Sequence, residues 1–148
     1  MPQLTPWPPA DPVTTIACTI WMEARGDGQE GMHAVANVIM NRARNPRWWG
    51  RDIVSVCLAP WQFSSFDPGS TQIPLVKEAI VNGDPDYLTA LKIAEWAVEG
   101  ILTDTTDGSD SYFAVTIPPP YWSKRAEFTV QIGQQKFYRT ELPPLVDA

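Results

Sequence analysis

Between Val13 and Ala43 the chain carries two apolar stripes at helical spacing, broken by Gly26-Asp27-Gly28. The first runs through Val13, Ile16, Ala17, Ile20 and Ala24; the second through Met32, Val35, Ala36, Ile39 and Ala43. Recurrence every three to four residues is the mark of a helix that buries one face. Ala34 and Val38 widen the second stripe, so that helix is expected to be enclosed on most sides. Asp11-Pro12 reads as the first helix's start, with a side-chain acceptor at the N-cap and a ring where no amide is missed. Gly26 and Gly28 should stop it, Asp27 and Glu30 are spaced as a capping box for the second helix, and Asn45-Pro46 should end that helix.

One acidic side chain, Glu23, sits three residues after Ile20 and seven after Ile16. On a helix this is the border of the buried stripe, in the last turn. Desolvation there favours the neutral carboxyl, and the negative end of the helix dipole pushes the same way. A carboxylic acid kept protonated near neutral pH is what a general acid for glycosidic cleavage requires. The competing reading is structural: an ion pair with Arg25, Arg42 or Arg44 that ties the two helices together.

The rest of the chain narrows the function classes. At 148 residues it suits one domain. Net charge is −6, and residues 61–148 hold most of the acid, which disfavours nucleic acid as a partner. No apolar run is long enough for a membrane span. The start, "MPQLTPWPPADP", lacks a basic segment followed by an apolar one, so synthesis in the cytoplasm without a signal peptide is expected. Cys18 and Cys57 lie in apolar segments and read as buried thiols. Their spacing with the lone His33 offers no metal site, and no cofactor is expected. "DTTDGSD" lacks calcium-loop spacing and reads as an acidic turn.

Residues 1–12, with five prolines, read as an irregular arm packed by Trp7, ahead of one domain over 13–148. Helices are expected at 51–58, 74–82 and 86–101, the last two joined by "NGDPD". "SYFAV" and "EFTVQIGQQKFYR" suggest a small hairpin or sheet, with "GQ" as its turn. The fold class is therefore α+β, mainly helical. Seven tryptophans is a high count. Trp21 and Trp96 read as core. Trp61 and Trp122, in loops, are candidates to stack on sugar rings; Trp48 and Trp49 are candidates for the same role or for packing the arm. Gln62 and Ser64 are candidate hydrogen-bonding partners for sugar hydroxyls, and Tyr112 could place a hydroxyl near the reacting centre.

The stretch "EARGDGQEGMHAVANVIMNRARNP", followed by "QFS", "SYF" and "IGQQKFY", resembles the SleB/CwlJ-type cell-wall hydrolases of spore germination and phage lysis. The matching positions are Glu23, Arg25 and Gly26 of the EARG motif, Glu30-Gly31, and Asn41-Arg42. The resemblance covers roughly residues 13–139 and implies a lysozyme-like fold. It implies that the partner is the peptidoglycan glycan strand and that Glu23 is the catalytic acid, with Arg25, Gly26, Glu30, Asn41 and Arg42 as supporting motif residues. The bond is then the β-1,4 link between N-acetylmuramic acid and N-acetylglucosamine. No second carboxylate stands out: Asp27 and Glu30 are assigned to capping, and Asp67 is left in the aromatic loop. A single-acid lytic transglycosylase giving 1,6-anhydro ends is therefore expected ahead of a hydrolytic muramidase. The setting expected is a monomeric phage endolysin that reaches the wall after release. The reading from another class is a saccharide-binding or virion structural protein that keeps the fold without catalysis.

Overall fold

The computed structural model describes residues 7–59 and 63–140, apart from the side chain of Ser64. Five helices come first: α1 (Pro12–Ala24), α2 (Gly28–Arg44), α3 (Ile53–Leu58), α4 (Gln72–Asn82) and α5 (Pro85–Glu99). A three-stranded antiparallel sheet follows, of β1 (Ser111–Ala114), β2 (Glu127–Ile132) and β3 (Gln135–Arg139), in the order β1-β3-β2. The mainly helical α+β class read from the sequence is what the chain adopts.

The helix starts follow local chemistry. Asp11 Oδ2 accepts the Thr14 amide at 2.8 Å with Pro12 at N1, and Asp84 caps α5 in the same way with Pro85. Asp52 and Ser55 close a reciprocal box at the start of α3. The expected Asp27–Glu30 box does not form: Asp27 makes no side-chain cap bond to α2. Its carboxylate is drawn instead to a distant strand turn, and Glu30 stays exposed in the first turn of α2, where the dipole favours it.

α1 is the central element, packed against α2, α3, α4 and α5. Its burial goes beyond the expected stripe and includes Thr15 and Thr19. Both hydroxyls turn back on the helix, Thr15 to Asp11 O at 2.6 Å and Thr19 to Thr15 O at 2.7 Å, so no buried polar group there is left unmatched. α5 lays Ala90, Ala94 and Ala97 inward. That small-residue face leaves Trp96 half-exposed under Lys92 rather than in the core, contrary to its sequence assignment. Trp21 is buried and donates its indole N–H to Asp84 at 3.0 Å. Trp7 stacks on Phe66, with ring centres 5.6 Å apart, which pins the described end of the arm. Cys18 and Cys57 are buried free thiols, and burial pushes both up to about 12.

The sheet covers the other side of α2. Phe137 packs fully buried against Ala34 and Val38, with Tyr112 beside it. The β2–β3 turn has Gly133 at its first central position with φ 57°, the left-handed backbone such a tight hairpin needs. A bulge at Thr129 separates the pairs Phe128–Tyr138 and Val130–Phe137. The extra residue puts Phe128 and Val130 on opposite faces. Val130 therefore joins the inner cluster, and Phe128 joins an outer group with Phe113, Trp122 and Tyr138.

Candidate active site

Glu23 stands in the last turn of α1, where the chain leaves the core for a short 3-10 segment, Arg25–Asp27. It is half-buried, and the Ser65 hydroxyl donates to its Oε2 at 2.7 Å. Ser65 belongs to a second 3-10 turn, Ser64–Phe66, which packs against α1. Burial raises the Glu23 carboxyl above its usual range. The Ser65 bond opposes this, and the charge of Asp67 adds to it. Among the described residues no arginine pairs with Glu23. Arg25 turns back to Trp21 O at 3.1 Å and lies over the Trp21 ring at 3.8 Å. Arg42 donates from Nε to Asp110 O at 2.6 Å, and Arg44 points to solvent. The structural reading of Glu23 as an inter-helix ion pair is therefore not what the chain builds.

Tyr112 comes from β1 on the opposite side. Its ring packs on both hydrophobic clusters, so it is a partly buried strand aromatic that also lies within the electrostatic reach of Glu23, Arg42 and Asp27. Burial first, and then the Glu23 charge, hold its phenol well above the ordinary range. The hydroxyl therefore keeps its proton at neutral pH.

Two devices fix these parts relative to one another. Asp27 Oδ1 accepts the Gln134 amide at 3.1 Å, and Oδ2 faces Gln135 Nε2 at 3.4 Å, latching the hairpin turn to the α1–α2 corner. A methyl group on Gly133 would lie 2.8 Å from Asp27 Oδ1, so only glycine admits the carboxylate. Arg42, 6% exposed, is the second. Its guanidinium lies over Phe63 at 5.2 Å and Trp49 at 5.4 Å while Nε holds Asp110 O, joining α2, the aromatic loop and the entry to β1. Its neighbour Asn41 donates to Asp104 Oδ2 and Ser109 O, at 3.0 and 2.9 Å. Together with Asn37 and His33, both bonded to Thr103 O, it clamps residues 103–109 to α2. The acidic turn is held by its own bonds: Asp104 accepts from Thr106 and Gly108.

The sequence candidates are distributed unevenly. Glu23 and Tyr112 are brought together. Trp61 and Gln62 lie outside the described residues, as does the Ser64 side chain. Trp122 is half-buried, with its edge packed on Phe113 and Tyr138. Gly26 is exposed in the 3-10 corner, and it is Gly28 that takes the positive φ of 72° there. Sequence reasoning missed Ser65, which reaches Glu23 across 42 positions, and misassigned Asp27. The "SS" pair after Phe63 was the only available signal for the first; nothing local pointed to the second.

Comparisons with known proteins identify the fold and the family. No curated protein matches the chain. Two solved structures share its fold. The catalytic domain of the germination-specific lytic transglycosylase SleB from Bacillus anthracis has a TM-score of 0.62 and 24% identity over 90% of this chain and 99% of that one. The catalytic domain of the Bacillus cereus SleB protein has a TM-score of 0.62 and 23% identity over 94% and 98%. The helices and small sheet of this chain therefore adopt the fold of those catalytic domains. A family model described as Cell Wall Hydrolase matches residues 26–138. Because that match covers well over half of the chain, from within the α1–α2 corner to the last strand, the chain belongs to the cell wall hydrolase family and is a wall-degrading enzyme.

Proposed function

We propose that the protein cuts peptidoglycan glycan strands at the β-1,4 bond between N-acetylmuramic acid and N-acetylglucosamine, as a lytic transglycosylase with Glu23 as its acid. The observation that carries this reading is the state of Glu23. It is a carboxyl raised by burial, held by one hydroxyl, with no cation pairing it among the described residues. Such a group is protonated where an exposed glutamate is not. It gives its proton to the bridging oxygen as the C1–O bond breaks, and positive charge develops on the sugar. The C6 hydroxyl of the same muramic acid then attacks C1, and its proton returns to the Glu23 carboxylate. One group serves as acid and then base, and the product carries a 1,6-anhydro end. Tyr112, whose phenol keeps its proton, donates a hydrogen bond to the reacting sugar in this reading.

A second ending has one observation in its favour: the charge of Asp67 is felt at Glu23. Asp67 could position water, and the product would then be a reducing end. Mass spectrometry of digested sacculi separates the two. Anhydro ends, each lighter by one water, support the transglycosylase; reducing ends assign the reaction to a muramidase. For the endolysin setting, lysis of the host on co-expression with a holin, and none without it, is the matching test.

A further inference from the structure

The last carbonyls of a helix lack intrahelical partners, and its final turn frays unless something else holds them. α1 ends at Ala24, so Glu23 is its next-to-last residue. The acid therefore stands where a helix holds its shape least. The chain also turns sharply here, for Ala24 departs from helical geometry at φ −141° and ψ 8°.

Arg25 meets both difficulties. Its backbone N–H bonds to Trp21 O, and its Nη1 donates to the same carbonyl at 3.1 Å and to Met22 O at 3.4 Å. Met22 O belongs to the peptide group that carries Glu23. The guanidinium reaches these carbonyls while lying 3.8 Å from the centre of the Trp21 ring. Trp21 is itself fixed: it is 6% exposed, with its indole N–H on Asp84 Oδ2 at 3.0 Å. The same oxygen accepts the Tyr87 amide at 3.0 Å and so caps α5. The Trp21 bond is the largest influence holding the Asp84 carboxyl below its ordinary range, and the Arg25 charge acts in the same direction. One continuous set of contacts thus runs from the start of α5, through an indole and a guanidinium, to the backbone that carries Glu23.

Resting on the reading of Glu23 as the acid, we infer that Arg25 is a positioning residue for the reaction. It braces the last turn of α1 against α5 and so holds the Glu23 carboxyl at the scissile oxygen. Ser65 holds the carboxyl at its tip; Arg25 holds the backbone beneath it. Arg25 does not touch the sugar, so its effect falls on the chemical step and not on substrate binding. A misplacement of about 1 Å at a reacting group costs on the order of 100-fold in rate. A frayed turn is therefore enough to disable an otherwise intact site.

The test compares the parent with Arg25→Met and Arg25→Lys. Arg25 is half-buried and borders an open cleft of about 520 Å³, which Leu75, Glu78 and Asn82 also line, so either side chain has room. Thermal melts give the folded fraction. Initial rates on soluble glycan strands, taken well below the melt, give kcat and KM per folded molecule. Amide hydrogen exchange over residues 20–26 reports the turn itself. Arg25→Met keeps the bulk and loses the grip. It is expected to lower kcat about 10- to 100-fold, to leave KM unchanged and to speed exchange in that segment. Arg25→Lys can still bond a terminal carbonyl and recovers part of the rate. A kcat per folded molecule equal to the parent's would make Arg25 merely structural and overturns the inference. So does a loss carried by KM, which would put Arg25 on the substrate, and so does unchanged exchange over 20–26. Clearing by Glu23→Gln at the parent's rate rejects the acid reading itself, whereas an inactive Glu23→Gln beside a fully active Arg25→Met sinks this inference alone.

Discussion

The Ser65 hydroxyl donates to Glu23 Oε2 at 2.7 Å from a turn forty-two residues further along the chain. This bond stabilises the charged carboxylate and so works against the burial that keeps Glu23 neutral. Ser65→Ala removes the opposing influence. The Glu23 pKa should rise further, and the basic limb of the pH–rate profile should move to higher pH. A profile measured on solubilised glycan checks this, and a limb displaced to lower pH contradicts it.

The same burial has a cost in stability with a definite pH dependence. The folded-state pKa of Glu23 lies above its unfolded value. The folded chain therefore binds the extra proton, and stability is lost as pH rises through the folded pKa. Below the ordinary carboxylate range the proton is bound in both states and there is no penalty. Glu23→Gln should accordingly raise the melting temperature at neutral pH and leave it nearly unchanged in acid. Melting curves of the pair across that range are the measurement.

Asp27 should matter through the sheet. Asp27→Ala leaves the Gln134 amide without its acceptor and frees the hairpin turn, at a cost of about 1–3 kcal/mol. Gly133→Ala forces a methyl group toward Asp27 Oδ1 on a left-handed backbone. Its strain alone should cost about 1–2 kcal/mol. Denaturant unfolding reads both. Since either change loosens the same latch, the double variant should lose less than the sum of the two.

Arg42 is buried against Phe63 and Trp49 with Nε on Asp110 O. Arg42→Met keeps the bulk and strands that carbonyl, a loss of about 1–3 kcal/mol by unfolding free energy. Arg42→Lys should not rescue it, because an ammonium cannot lie flat on the rings and bond sideways at once.

What the sequence made legible was local. The cap at Asp11, the stop at Asn45, the helix pair and the Gly133 turn each follow from residues within four positions of one another. Glu23 was legible because helical periodicity alone puts it at the edge of a buried stripe. Tyr112 was legible as a candidate from its aromatic strand segment, but Ser65 was not, because it comes from a separate element, the loop after α3, with no local signal tying it to Glu23. Asp27 shows the physical reason for the main misassignment. A capping-box spacing records what a carboxylate can do locally, and a hairpin amide 107 positions away won the competition. Trp96 fails in the same way, since the alanine face of α5 decides which side of that helix is buried.

Clearing of a peptidoglycan suspension by the parent, Glu23→Gln and Glu23→Asp proteins at equal folded concentration tests the proton donor most directly. The glutamine keeps the shape and lacks the acid. The aspartate keeps the acid and withdraws it from the bond. Both variants should lose at least about 100-fold in rate, the lower bound of what a positioned general acid contributes, while Glu23→Gln still binds glycan. Clearing by Glu23→Gln within a few-fold of the parent would contradict the account.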